Sequence, residues 1–288
     1  MTNTNDIHAN VMLVELRISQ WTARKMDKRV SNKVAAESHV DEAVGNYYKS
    51  LLDPAVLKQI KQHINETRTQ YYTMTLPWAD DGPRVLSAEM YFEFMEKMSN
   101  AREKFEQLVN SFLTDYPYHR EEAKRFLGEL FNDDDYPEPL ALAHKFGFNL
   151  NVRPLPHSND FRCDIGSEEI DKIRRDIEAQ TQATLENTMR AAFNRIMDVA
   201  VRYADRLGKD DNVFRDSMVE NARELVDIMP KLNITNDPEL ARLTDKVRDK
   251  LANHEPDALR TNMTVRRETA AAAKNIASDI ENIFGGAA

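Results

Sequence analysis

Arg17, Trp21, Arg24, Lys25, Lys28, Arg29 and Lys33 gather six cations and one indole into a short stretch near the start of the chain. Lysine and arginine neutralise phosphates and release counterions, and an exposed aromatic ring stacks on a base without reading its identity. Contact with nucleic acid is the chemistry this set supports. Between Val11 and Val34 the opposing charges are Glu15 and Asp27. A basic stripe also has a plainer use, as a solvated face or as the partner of acidic neighbours in its own fold. A chain of formal net charge −9 has acid to offer, and its summed field repels polyanions at long range, so binding to nucleic acid must be local. Tyr47, Tyr48, Tyr71, Tyr72 and Trp78 supply further aromatic groups, although Tyr71 also falls on an apolar seam.

Other reactive groups point to less. Asp133, Asp134 and Asp135 offer the oxygen ligands a divalent cation takes, but consecutive side chains do not converge on one ion without a tightly folded loop. A solvated acidic turn is the reading preferred over a metal-dependent enzyme. Cys163, between Phe161 and Ile165 on an inward strand position, reads as a buried small hydrophobe. The seven histidines form no HExxH and stand near no second cysteine, so a zinc site lacks its usual spacing. No GxxxxGK[ST], no GxGxxG after a strand and no GxSxG is present. The expectation is a non-enzymatic protein with no cofactor and no metal.

These residues need elements to hold them. With 288 residues, 41% of them hydrophobic, the chain can bury a real core, and 30% charged residues against 8 Gly and 11 Pro favour long solvated helices. Residues 12–18 alternate Val14, Leu16 and Ile18 against polar neighbours, which predicts a half-buried strand. Ser19 then caps a helix to about Glu37, with Ala23, Met26, Val30 and Val34 inward and Arg24, Lys25, Lys28, Arg29 and Lys33 on the opposite face. Asp53-Pro54 opens a helix whose heptad seam is Leu57, Ile60, Ile64, Thr67, Tyr71 and Met74. After the turn-rich "LPWADDGPR" a second seam, Tyr91 to Phe112, makes a long helical hairpin.

A shorter helix at 121–131 and the turn "NDDDYPEP" follow. Phe148, Leu150 and Val152, then Phe161, Cys163 and Ile165, predict a β-hairpin paired with the strand at 12–18. The longest helix begins at Ser167 and runs to about Leu207, "LGKDDN" ends it, and helices at 213–229, 238–252 and 256–284 complete the chain, with "GGAA" fraying at the end. The fold class is α+β, predominantly α-helical, with a small antiparallel β-sheet and long C-terminal helices. A division near 166 separates an α+β domain, 1–166, from an all-helical domain, 167–288. No apolar run is long enough to span a membrane and no signal peptide is recognisable, and one cysteine fits a reducing compartment.

The blocks "LVELRISQWTARKMDKRVS", "TMTLPWADDGPRVL" and "KFGFNLNVRPLPHSNDFRCDIG" resemble a family of tailed-bacteriophage proteins without an assigned activity. The resemblance covers roughly residues 13 to 205. It implies a role in the host cytoplasm during infection, beside genes of phage DNA metabolism and, in some genomes, a MoxR-type AAA+ ATPase with a von Willebrand A partner. It carries over no active site. Two expectations follow: assistance to viral DNA metabolism through single- or double-stranded DNA bound at the basic helix, or an interaction and scaffold role. The second takes the form of an adaptor for an AAA+ partner or self-association through coiled-coil-like heptad helices.

Overall fold

The computed structural model describes residues 4–79, 82–160, 167–209 and 213–285. The chain is predominantly helical, with a small antiparallel sheet. Helix α1 (Thr4–Asn10) leads into β1 (Val11–Ser19), β2 (Arg24–Met26), α2 (Lys28–Ser38) and β3 (Tyr48–Ser50). Next come α3 (Lys58–Met74), β4 (Leu76–Pro77), β5 (Arg84–Ser87), α4 (Tyr91–Leu127), α5 (Pro139–Ala143) and β6 (Gly147–Pro154). The rest is helical: α6 (Ser167–Leu207), α7 (Ser217–Leu232), α8 (Pro238–Val247), α9 (Pro256–Thr261) and α10 (Met263–Gly285). Among the described residues no helix is long and apolar enough to cross a membrane.

The sheet runs β4-β5-β1-β6. Strand β1 therefore lies beside the 148–152 strand that its alternation predicts. Its other neighbour, β5, pairs antiparallel from Val11↔Ser87 to Val14↔Arg84, and β4 joins β5 at Leu76↔Val85. Strands β4 and β5 sit where the sequence reads as a turn-rich break, because runs this short are too brief to show a period of two. Leu76, Val85 and Leu86 are nevertheless among the most buried side chains. The expected partner strand at 161–165, including Cys163, lies outside the described residues, as does the second half, 210–212, of the helix-ending "LGKDDN".

Two compact units emerge, each discontinuous in sequence: one from 16–71 and 95–150, the other from 1–15, 72–94 and 151–288. The sequence division falls instead at a single point near 166. The chain passes between the units within β1, α3, α4 and β6.

The first unit is built on the expected hairpin seam. Ile60 and Ile64 of α3 share a buried cluster with Phe105, Val109, Phe112 and Tyr116 of α4 and with Trp21, Leu51, Leu52 and Leu142. The His63 imidazole hydrogen-bonds the Ala101 carbonyl at 2.8 Å. The predicted interruption before Glu121 is absent, and α4 continues through Pro117 to Leu127. A proline forfeits one helical hydrogen bond. Burial of Phe112, Tyr116 and Ala123 on either side of it, with the Tyr116 hydroxyl donating to the Pro137 carbonyl at 2.9 Å, offsets that loss.

In the other unit α6 buries Ala192, Ile196, Ala200, Tyr203 and Leu207, and α10 packs along it. Small side chains at Ala270 and Ala273 let the two backbones approach. The buried stripe of α10 is Thr269, Ala270, Ala273, Ile276 and Ile280. Of the line that the sequence offers, Val265, Thr269, Ala272, Ile276 and Ile283, Thr269 and Ile276 are buried, Val265 and Ala272 are half-buried and Ile283 is exposed. The predicted single helix from Pro256 breaks at Asn262, whose side chain accepts from the Thr264 and Val265 amides and starts α10 afresh. Arg195 of α6 donates to the Tyr72, Thr73 and Thr75 carbonyls, satisfying the end of α3 where carbonyls have no helical partner.

Candidate nucleic-acid interface

The basic stretch is not one helix. Trp21 is buried, 8% exposed, with its ring 6.3 Å from Phe112 and 6.0 Å edge-on to Tyr116. To insert that indole the chain turns at Ala23, whose φ of 50° is left-handed and breaks any helix through it. The Ala23 carbonyl accepts from the Leu51 amide at 2.7 Å, and β2 then pairs antiparallel with β3: Arg24↔Ser50, Lys25↔Lys49, Met26↔Tyr48. Helix α2 starts only afterwards, with Asp27, not Ser19, as its N-cap accepting from the Val30 amide. Ser31 fastens this corner, donating to the Asp27 carbonyl and accepting from the Tyr47 amide.

The predicted shared helical face is therefore replaced by three separate supports. Arg17 projects from β1, Arg24 and Lys25 from β2, and Lys28, Arg29 and Lys33 from α2. The buried side of α2 is Ser31 and Ala35 rather than Val30 and Val34, and Val34 is exposed.

Directly opposed residues of an antiparallel pair point to the same side. Lys25 and Lys49 thus share one face of the β2–β3 ribbon, and Arg24, Ser50, Met26 and Tyr48 share the other. On the first face Lys49, 6% exposed, lies 2.7 Å from the Asp135 carboxylate and 3.7 Å from Asp27, and donates to the Leu130 carbonyl at 2.6 Å. Lys25 reaches the same Asp135 at 2.6 Å from a half-exposed position. Burial opposes ionisation of Asp135, but the hydrogen bonds from Lys25 and Lys49 together outweigh it and hold the carboxyl below its usual range.

Tyr136, next in the chain, donates its hydroxyl to the Leu51 carbonyl, and burial pushes its phenol up to about 12. Asp133 pairs with Arg120 at 3.1 Å. The acidic turn, expected to be solvated, instead buries Asp135 as the counter-ion of two lysines. Among the described residues no group of three or more His, Cys, Asp or Glu side chains is placed to hold a metal ion.

What remains for a partner is narrower than the sequence suggests. Trp21 is in the core and cannot stack on a base, and Lys25 is engaged. Arg24, Lys28 and Arg29 are exposed and have no ion pair or hydrogen bond from their side chains among the described residues. Lys33 stands 3.9 Å from Glu37, both well exposed, a pairing too weak to withhold its charge. Arg17 is exposed on β1.

The outer ribbon face adds Tyr48, 52% exposed, beside Met26, with Tyr47 exposed next to it. No acidic residue lies in the first turn of α2, so Lys28 and Arg29 add to the positive end of the helix dipole instead of opposing it. Tyr47 and Tyr48, offered by the sequence as aromatic surface, are exposed, whereas Lys49 escapes sequence reasoning because β3 spans three residues; the Gly45-Asn46 turn before Tyr47-Tyr48 is the one local signal of a strand.

Comparison with known proteins gives no matching family model, no matching curated protein and no matching solved structure.

Proposed function

We propose that the protein is a non-enzymatic nucleic-acid-binding protein that grips the phosphate backbone with Arg24, Lys28 and Arg29, with Lys33 and Arg17 at the margins and Tyr48 as an exposed aromatic platform. The observation that carries this reading is that three neighbouring exposed cations lack any acidic partner among the described residues, in a chain with an excess of acid. The buried Lys49–Asp135 pair, with half-exposed Lys25 on the same carboxylate, supports it by fixing the ribbon that presents Arg24.

Nothing in this set reads base edges, so binding is sequence-tolerant. The phage resemblance supports a place for it in viral DNA metabolism in the host cytoplasm. Fluorescence anisotropy of single- and double-stranded oligonucleotides at two salt concentrations tests it.

A second reading is an interaction or scaffold protein that engages an AAA+ ATPase or a second copy of itself. It is favoured by the first half of α6, where Ile170, Ile173 and Ile177 form a half-buried apolar line and no described residue before Thr188 is fully buried. Light scattering on the purified chain separates the self-associating form from a monomer.

A further inference from the structure

The outer face of the β2–β3 ribbon is defined by where its ladder bonds fall. The Leu51 amide donates to the Ala23 carbonyl at 2.7 Å, and the Asp27 amide to the Tyr47 carbonyl at 2.9 Å. Hydrogen-bonded and non-hydrogen-bonded pairs alternate along an antiparallel ladder, so Arg24↔Ser50 and Met26↔Tyr48 are the non-hydrogen-bonded pairs, whose side chains approach closest. All four stand on one side of the ribbon, and none is acidic. Tyr48 is 52% exposed, with Met26 half-buried beside it. Arg24 is its diagonal neighbour on the same face, about 7 Å away.

The Tyr48 ring is uncovered. Every residue of the unit that holds the ribbon, 16–71 and 95–150, is described. The Tyr48 side chain has no hydrogen bond, ring contact or overlying cation among the described residues. By contrast, Trp21 and Tyr71 are buried, and Tyr136 is bound to the Leu51 carbonyl. The ribbon is held from behind by Lys49, 6% exposed and 2.7 Å from Asp135, so a ligand meets a surface already in place.

We propose that this face selects single-stranded over double-stranded nucleic acid, with a base stacked on Tyr48 against the Met26 thioether and the adjoining phosphate on Arg24. The inference rests on the nucleic-acid reading and narrows its substrate. In a duplex both faces of each base are covered by its neighbours in the stack, so an exposed ring adds nothing, whereas an unpaired strand can lay a base on it. One nucleotide spans the Tyr48–Arg24 diagonal from base to phosphate. Lys28 and Arg29, which follow β2 at the start of α2, supply cations for neighbouring phosphates. A two-stranded ribbon can also enter the major groove of a duplex, where it reads base edges with polar side chains. Here a ring and a thioether fill the Met26↔Tyr48 position, and strands this short leave only Arg24 and Ser50 for that task.

The experiment is anisotropy titration of the full chain against labelled oligothymidylate and a labelled duplex of the same length, at about 50 and 200 mM salt. At the higher salt, where phosphate contacts count least, oligothymidylate is expected to bind about fivefold or more tighter than the duplex, the lower end of what one stacked base contributes. Tyr48→Ala should remove that advantage and leave duplex affinity unchanged, and Tyr48→Phe, which keeps the ring, should retain it. Stacking releases no counter-ion, so Tyr48→Ala keeps the wild-type salt slope while R24Q/K28Q/R29Q flattens it. Tyr48 is exposed, so Tyr48→Ala should keep the wild-type circular dichroism, and the wild-type comparison of the two oligonucleotides decides the matter should it misfold.

A duplex bound as tightly as the single strand, or single-strand affinity indifferent to Tyr48→Ala, overturns the proposal; a loss of binding in R24Q/K28Q/R29Q would then leave the phosphate-gripping reading standing. Equal losses in Tyr48→Phe and Tyr48→Ala would assign the contact to the hydroxyl and overturn it as well. Binding of neither oligonucleotide by the wild type overturns both readings. Oligouridylate in place of oligothymidylate separates an RNA strand from a DNA strand, and the tighter Tyr48-dependent binding names the source.

Discussion

Lys49 and Asp135 form a buried ion pair, 2.7 Å apart and each less than 10% exposed, and that pair sorts the basic stretch into structural and available charge. One face of the β2–β3 ribbon is spent on it. The opposite face and the start of α2 are left for a partner.

Removing one partner from a buried pair strands the other charge, at a cost of about 3 kcal/mol or more. Lys49→Met and Asp135→Asn are each expected to destabilise the chain by that amount in urea denaturation. Lys25→Met should cost under about 1 kcal/mol, since Lys25 is half-exposed and its pairing is screened. Equal losses at Lys25 and Lys49 would contradict this assignment.

Asp135 also sets a pH dependence. Its folded pKa is depressed, so its contribution is complete above the unfolded value of about 3.9 and is lost as pH falls from there through the folded pKa. The stability gap between the wild type and Asp135→Asn should hold from pH 7 to pH 5 and close below about pH 4. A gap that persists undiminished at pH 3 would mean that Asp135 stabilises through packing instead of charge.

Trp21 belongs to the core, not to the interface. Trp21→Ala is expected to cost about 3 to 5 kcal/mol, read by urea denaturation. The milder Trp21→Phe should leave oligonucleotide affinity at the wild-type value. A selective loss of affinity in a stably folded Trp21→Phe would return the indole to the binding surface.

Arg195 closes the end of α3 with hydrogen bonds to three carbonyls. Charge-assisted bonds of this kind are worth about 1.5 to 3 kcal/mol, so Arg195→Gln should lower stability by about 2 kcal/mol. A change below about 0.5 kcal/mol would show the carbonyls finding water at no loss.

Long, strongly periodic segments were legible in the sequence. The α3 and α4 seams and the extent of α6 follow from apolar spacing, and β1 with its β6 neighbour follows from alternation. The stretch 19–37 was not legible, because Ala23, Met26, Val30 and Val34 fit a helical stripe while contacts distant in sequence decide otherwise. Trp21 is drawn into the α4 core, Lys25 and Lys49 meet an aspartate far along the chain, and each contact outweighs local helix propensity. Pro117 misled in the opposite direction, since flanking burial carries α4 through a residue that locally disfavours it. Which cations remain available depends on where each acid lands, and that is a property of the tertiary structure.

Anisotropy of a labelled duplex, compared between the wild type and R24Q/K28Q/R29Q at about 50 and 200 mM salt, tests the central claim most directly. Three phosphate contacts give a slope of log affinity against log salt near −2.7, roughly a 40-fold loss over that range. The account predicts this loss for the wild type, and a weaker, much flatter response for the triple variant. Identical affinity and slope for the two proteins would contradict it.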